Sequence, residues 1–74
     1  MEIKIKLFAY FRDDRGKILT KNYPAGATPA NVAVDLGIDQ ELVAILLVNG
    51  VHAKWNQALA AGDTISLFPP VAGG

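Results

Sequence analysis

The sequence contains no cysteine, and this absence removes a whole set of chemistries. Disulfide bonds, thiolate metal sites and cysteine nucleophiles are all excluded. An excess of charge is missing as well, because seven Lys and Arg residues balance seven Asp and Glu residues and the basic residues are scattered along the chain. We therefore do not expect a nucleic acid as the main partner.

Long apolar runs are also missing. Neither a signal-peptide core nor a stretch long enough to span a bilayer is present, so we expect a cytoplasmic protein that does not associate with membranes. A chain of 74 residues, of which 51% are hydrophobic, instead predicts one small globular domain. A domain of this size buries only about 60% of the surface that its unfolded chain exposes, so its stability depends on efficient packing.

The first half of the chain predicts a hairpin followed by a short helix. Charged and apolar side chains alternate from Glu2 to Leu7, which is the period of a strand with one buried face. A polar cluster at 13–16 then predicts a turn into a second strand over residues 17–23. Thr28 can cap a helix that starts at the following proline and ends before a glycine, so a helix is expected over residues 29–36.

The second half predicts a central strand, a brief return strand and a final strand. Residues 44–48 are apolar at every position, which is typical of a strand covered on both faces. Asn49-Gly50 is a strong hairpin signal and predicts a short return over residues 51–55. Residues 64–68 alternate again, with their two inner aliphatic residues expected in the core.

This order of elements predicts an α+β fold in which a mixed sheet of four to five strands wraps one short helix. The first and last strands are expected to pair in parallel through a right-handed crossover. The domain is expected to cover residues 1–68, and residues 69–74 are expected to form a flexible C-terminal tail.

The tail combines residue types that suit it to entering another protein. Its two prolines lack backbone donors, so the last strand cannot extend through them, while its valine and alanine are small apolar residues able to line a cleft. Its two glycines have no side chains and pass a narrow channel with little steric hindrance. The residues expected to contact a partner are Phe68, Pro69, Pro70, Val71, Ala72 and Gly73.

The working group predicted from this pattern is the carboxylate of Gly74. A terminal carboxylate has a reference pKa of about 3.5, so it is ionised at neutral pH and is a poor electrophile until a better leaving group is attached. The chain has neither a glycine-rich phosphate loop nor a cluster of metal ligands. We therefore expect no metal site and no cofactor bound by this chain, and ATP must be bound by an activating partner.

These segments together resemble the small subunit of molybdopterin synthase, in the superfamily that includes the thiamine-biosynthesis sulfur carrier. The resemblance rests on Leu7-Phe8-Ala9, on Leu47-Val48-Asn49-Gly50 and above all on FPPVAGG at residues 68–74. It implies a ubiquitin-like β-grasp fold and a carrier that is not itself an enzyme. It also implies a cycle in which a ubiquitin-activating-like adenylyltransferase uses ATP to adenylate Gly74 and a sulfur donor converts the adenylate to a thiocarboxylate.

The final step implied by the resemblance is delivery of sulfur to a pterin precursor by the large subunit of molybdopterin synthase, in a heterotetramer, for a molybdenum or tungsten cofactor. The same tail leaves other functions open. A thiamine-type carrier and a ubiquitin-like protein modifier both begin with the same acyl-adenylate, and a pure binding module needs only the sheet face.

Other side chains are assigned by their position in the pattern. Phe68 is expected on the opposite face from the core, as an anchor at an interface, and Trp55 is expected to be a partly buried residue at a strand end. His52 has no plausible companion as a metal ligand. Arg12 and Arg15 leave open a contact with an acidic groove of a partner, but they are expected to lie in a solvated loop.

Overall fold

The computed structural model describes residues 1–71, and these form one mixed sheet with a single α-helix packed on it. The predictions made for Ala72, Gly73 and Gly74, including the flexibility of the tail, concern residues outside this described part. The five strands are β1 (Glu2–Leu7), β2 (Ile18–Asn22), β3 (Ile45–Val48), β4 (Val51–His52) and β5 (Thr64–Phe68), and the helix is α1 (Pro29–Leu36).

The predicted parallel pairing of the first and last strands is confirmed. The sheet order is β2-β1-β5-β3-β4, with β1 and β5 parallel in the middle and every other pair antiparallel. The strand β5 is therefore hydrogen-bonded on both of its sides. The α+β fold predicted from the order of the elements, and the β-grasp fold that the resemblance implies, are thus the fold of this chain.

The core lies between the sheet and the helix. Alternation in β1 places three residues that are 0% exposed on the inner face, and β5 adds two more against them. The helix contributes Val32 and Ala33 to the same core. The fully buried strand residues are Ile3, Ile5, Leu7, Ile65 and Leu67.

The helix has the ends that its sequence predicts. Asn31 donates its backbone N–H to the Thr28 hydroxyl at 3.3 Å, and the Thr28 N–H returns a bond to the Asn31 side chain at 2.9 Å. This reciprocal pair satisfies two of the donors that a helix start leaves open. Gly37 closes the helix with a left-handed φ of 71°, a conformation that suits glycine. Beyond it, the Asp39 side chain caps the short 3₁₀ helix Gln40–Leu42 by accepting a bond from the Glu41 N–H.

Two predictions about the hairpin of β3 and β4 are wrong, one about burial and one about length. Strand β3 is covered on one face only, because Leu46 and Val48 are buried while Ile45 is 40% exposed. A fully apolar run is equally compatible with a strand that has one exposed apolar face, and such a face is typical of an interaction surface. The hairpin after it is shorter than expected, since β4 ends at His52.

The loop between β1 and β2 is also not the solvated loop predicted for its arginines. Residues 9–12 form a 3₁₀ helix, and both Arg12 and Arg15 are half-buried and bonded to backbone carbonyls. The Arg15 guanidinium donates to the carbonyl of Leu36 at 3.1 Å and to that of Phe11 at 3.3 Å. A cation at the end of a helix satisfies an open carbonyl and interacts favourably with the helix dipole, so this arginine ties the loop to α1.

Among residues 1–71, no helix combines the length and the apolar character that a bilayer crossing requires.

Candidate functional site at the root of the tail

The sheet ends at Phe68, the last residue of β5. The carbonyl of Phe68 accepts the last sheet bond, from the Ala44 N–H at 2.8 Å, and Pro69 has no N–H with which to continue the ladder. Pro69 is itself buried, whereas Pro70 is exposed and Val71 is 81% exposed. The exit point therefore lies between the two prolines, one residue later than the end of the strand.

Two aromatic rings fix the root of the tail. The rings of Phe8 and Phe68 are stacked with centroids 4.0 Å apart and planes 13° from parallel. The Arg12 guanidinium lies 5.3 Å from the Phe8 ring centroid, and its Nε donates to the Leu7 carbonyl at 2.8 Å. Stacking and a cation over an aromatic face each stabilise such an arrangement. We call Phe8, Arg12 and Phe68 the aromatic root.

The aromatic root sits on the sheet face that points away from the helix. In the register of β3 and β5, Ile45 is directly opposite Phe68, and Leu47 is opposite Ser66. Residues that face each other across two strands share one face of the sheet. This outer face thus carries partly exposed apolar side chains next to the exit point, which is the composition expected at the centre of a protein interface.

The structure brings some predicted site residues together and leaves others untested. Phe68 lies on the outer face, half-buried by its stack with Phe8, while Pro70 and Val71 are accessible beyond it. Buried Pro69 offers little surface to a partner. The contacts predicted for all of these residues remain predictions. Trp55 is partly buried against the core, as expected for a residue beyond a strand end.

Sequence reasoning missed Phe8 as a part of the site and did not place Arg12 beside it. The signal was available, because in a parallel pairing with Leu7 opposite Leu67 the next residue of each strand is an aromatic on the same face. Of the three aromatic residues Phe8, Tyr10 and Phe11, only Phe11 is buried in the core.

The described residues contain one ion pair, and it lies between β2 and α1. Lys21 Nζ is 2.7 Å from the Asp35 carboxylate, which also accepts a bond from the Tyr23 hydroxyl at 2.9 Å. The hydrogen bond from Lys21 and then that from Tyr23 lower the pKa of Asp35 below its ordinary value of 3.8. Burial, followed by the bond to Asp35, raises the pKa of Tyr23. The cluster of Lys21, Tyr23 and Asp35 therefore links α1 to the edge of the sheet at β2.

A pH-dependent contribution to stability follows from the lowered pKa of Asp35. A carboxyl group with a depressed native pKa stabilises the fold fully above its unfolded pKa, and this stabilisation is lost as pH falls through the native pKa. Asp35→Asn is therefore expected to be less stable than the original chain at neutral pH, with the difference shrinking below pH 3.8. Urea unfolding across this range measures the difference.

The matched control for that experiment is Asp13→Asn, because Asp13 is exposed and its side chain makes no hydrogen bond within residues 1–71. The difference in unfolding free energy between the Asp35→Asn chain and the original chain should narrow on acidification. If it did not, or if Asp13→Asn showed the same pH-dependent loss of stability, the cluster of Lys21, Tyr23 and Asp35 would not be the cause of the pH dependence.

Within the described residues, no group of three or more histidine, cysteine, aspartate or glutamate side chains is placed to hold a metal ion. His52 is exposed on the edge strand β4.

Comparison with known proteins connects this geometry to a family. Residues 5–74 match the model of the ThiS family. Small archaeal modifier protein 1 of Haloferax volcanii is 47% identical over 51 residues, which cover 66% of this chain. The match covers 59% of the length of that curated relative.

Solved structures extend the likeness to the whole fold. The crystal structure of SAMP1 from Haloferax volcanii superposes with a TM-score of 0.80 at 27% identity, and the match covers 100% of both chains. A chain in the complex of subunits 1 and 2 of molybdopterin-converting factor from Helicobacter pylori gives a TM-score of 0.66 at 22% identity, again over 100% of both chains. The second likeness concerns the fold alone.

Proposed function

The chain belongs to the ThiS family of ubiquitin-like carrier and modifier proteins, and on that premise we propose that it is a sulfur carrier whose working group is the Gly74 carboxylate. The observation that carries the proposal is the exit of the chain from a central strand beside a fixed aromatic root, with exposed Pro70 and Val71 leading to the C-terminal diglycine. The family match includes this C-terminal segment.

The chemistry begins with activation by a partner. A Gly74 carboxylate oxygen attacks the α-phosphorus of ATP, pyrophosphate leaves, and an acyl-adenylate forms. A hydrosulfide then attacks the carbonyl carbon and AMP leaves. If the donor is a persulfide, its outer sulfur attacks the carbonyl carbon, AMP leaves, and a thiol then cleaves the S–S bond of the resulting acyl disulfide, forming a disulfide with the donor sulfur. The product is a thiocarboxylate. The chain itself supplies the acyl group and its presentation, and the partner supplies the ATP site and the acid-base groups.

The acceptor that we propose is a pterin precursor held by the large subunit of molybdopterin synthase, with the tail of this chain inserted into that subunit. Support comes from the Phe68-Pro69-Pro70-Val71 sequence before the last three residues, which resembles the molybdopterin type more than the thiamine type. The outer face around Ile45 and Phe68 would pack against the subunit and orient the tail.

A second candidate function is modification of other proteins through an isopeptide bond from Gly74 to a lysine. The identity with a protein named as a modifier favours it. Both functions share the adenylate, so they differ only in the nucleophile that follows. Proteomics that finds Gly-Gly remnants on target lysines, dependent on this chain, would support modification.

The test of the sulfur-carrier proposal is intact-mass spectrometry of the purified chain after incubation with its adenylyltransferase, ATP and a sulfur donor. We expect a mass increase equal to the difference between sulfur and oxygen, and no increase when ATP is omitted. An unchanged mass, with an enzyme shown to release pyrophosphate in the presence of the chain, would refute the carrier function.

A further inference from the structure

An open pocket of about 240 Å³ adjoins the aromatic root. The residues that line it come from the end of β1, the start of β2 and the loop between these two strands. The residues that line it are Lys6, Leu7, Phe8, Arg12, Lys17 and Ile18.

The charge of this pocket is of one sign. Lys6, Arg12 and Lys17 are cationic, and none of the lining residues carries a carboxylate. The single ion pair within residues 1–71 joins Lys21 to Asp35, so no described carboxylate lies within 4.0 Å of the Lys6 or Lys17 ammonium groups. The net charge of the whole chain is zero. The positive charge here is therefore a local feature of this corner of the outer face.

The three cations are not equivalent. Arg12 is already engaged, because its Nε donates to the Leu7 carbonyl and its guanidinium lies over the Phe8 ring. Lys6 and Lys17 are exposed, and neither side chain makes a hydrogen bond to another described residue. Arg12 thus supplies fixed positive charge, while the two lysines remain free to bind an incoming anion.

The remaining walls of the pocket are apolar. Ile18 is 58% exposed and is paired with Lys6 across the two strands, so the two side chains share a face. Phe8 closes the other side. A partner that fills this pocket must combine apolar surface with negative charge, which is the character of an aspartate or glutamate side chain carried on a folded protein surface.

We propose that the pocket accepts an acidic side chain of the adenylating partner when that protein covers the outer face, an inference that rests on the proposed function. Continuity with the exit point favours this occupant, because Phe8 both lines the pocket and stacks on Phe68 at the base of the tail. A protein that receives the tail must lie against this corner. The lysines then fix the register of the tail before Gly74 reacts.

Charge reversal at one lysine tests the proposal. Lys17→Glu is expected to raise the Kd for the purified adenylyltransferase on the order of 10-fold at low salt, because a like charge replaces an opposite one at an interface. The ratio of the Kd of Lys17→Glu to that of the original chain should fall as salt is added, since screening weakens contacts between exposed charges. Isothermal titration calorimetry at two salt concentrations measures both effects, and thermal unfolding of each variant verifies that it is folded.

The matched control is Lys54→Glu, which makes the same change of charge at an exposed residue outside the pocket. Its Kd should stay close to that of the original chain. Equal Kd values for Lys17→Glu and Lys54→Glu would overturn the proposal. So would tight binding of inorganic phosphate that shifts the amide resonances of Lys6 and Lys17, since the pocket would then be a site for small anions.

The same variants separate this inference from the proposed function. At saturating adenylyltransferase, the amount of thiocarboxylate that the original chain forms tests the proposed function, while the ratio of the two variants' Kd values tests the docking contact. If the original chain forms no thiocarboxylate while the two variants still differ in Kd, the sulfur-carrier function fails and the acidic docking contact stands.

Discussion

A chain that lacks Gly74 is expected to bind its adenylyltransferase and yet form no detectable thiocarboxylate. The shortened tail still ends in a carboxylate, but that group falls about 3.5 Å short of the position that Gly74 reaches in an extended tail. A misplacement of only 1 Å can cost a reaction about 100-fold when reacting groups must be held in line. Intact mass and ATP-dependent pyrophosphate release are the measurements.

The deletion also separates the carrier from a pure binding module. The outer face and the aromatic root are unchanged in the shortened chain, so the Kd for the partner should stay within a few-fold of the original value. Partner activity that persists without Gly74 would mean that the tail is incidental and that docking of the sheet face is the whole function. If binding to the partner and thiocarboxylate formation were both lost, Gly74 itself would provide most of the affinity for the partner.

The second large effect is expected from Leu67→Ala. Leu67 is 0% exposed, and it lies opposite Leu7 on one neighbouring strand and Leu46 on the other. Truncation of a buried leucine costs about 2–5 kcal/mol, because transfer energy is lost and a cavity remains. Small domains are stable by only about 5–15 kcal/mol, so a substantial part of the total would disappear.

Thermal and urea unfolding measure this loss, and Val34→Ala is the matched control. Val34 is 77% exposed on the helix, and alanine is the better helix former, so the control should be neutral or slightly stabilised. For a domain of this size each kcal/mol shifts Tm by about 4–8 °C. A shift for Leu67→Ala no larger than that of the control would mean that the centre of the sheet is not the principal core.

The elements of the fold were predictable because their signals are local. Alternation from Glu2 to Leu7 has the period of a strand with one buried face, and Thr28, Pro29 and Gly37 carry the start and stop signals of the helix in three side chains. The Asn49-Gly50 turn likewise has left-handed φ values of 52° and 80°, as its hairpin requires. These features depend on residues close in sequence, where sterics and hydrogen bonding decide the conformation.

The environment of individual side chains was less predictable, because it depends on distant parts of the chain. The apolar run of β3 does not reveal that Ile45 faces outward without cover. The charges of Arg12 and Arg15 are typical of a solvated loop. In the folded chain, however, both side chains donate to backbone carbonyls, Arg12 to that of Leu7 and Arg15 to those of Phe11 and Leu36. The role of Phe8 depends on the register of β1 and β5, which only the parallel pairing fixes.

Within the site, the sequence predicts which end of the chain reacts, and the structure shows which residues pack at the base of the tail. Gly74 was predicted from the chemistry of a terminal carboxylate after glycine, and it lies outside the described residues. The aromatic root and the cationic pocket, in contrast, are assemblies of residues from β1, β2, β5 and the loop between β1 and β2, and no single segment contains their pattern.

The central position of β5 has a mechanical consequence. The tail continues from a strand bonded to β1 on one side and to β3 on the other, and not from an edge strand. A partner that pulls on the tail along the strand direction loads both ladders in shear, so several hydrogen bonds must break together. An edge strand under the same tension would be more exposed to peeling away one bond at a time. The central position of β5 would therefore resist traction on the proposed reactive end, as repeated insertion into and withdrawal from a partner would demand.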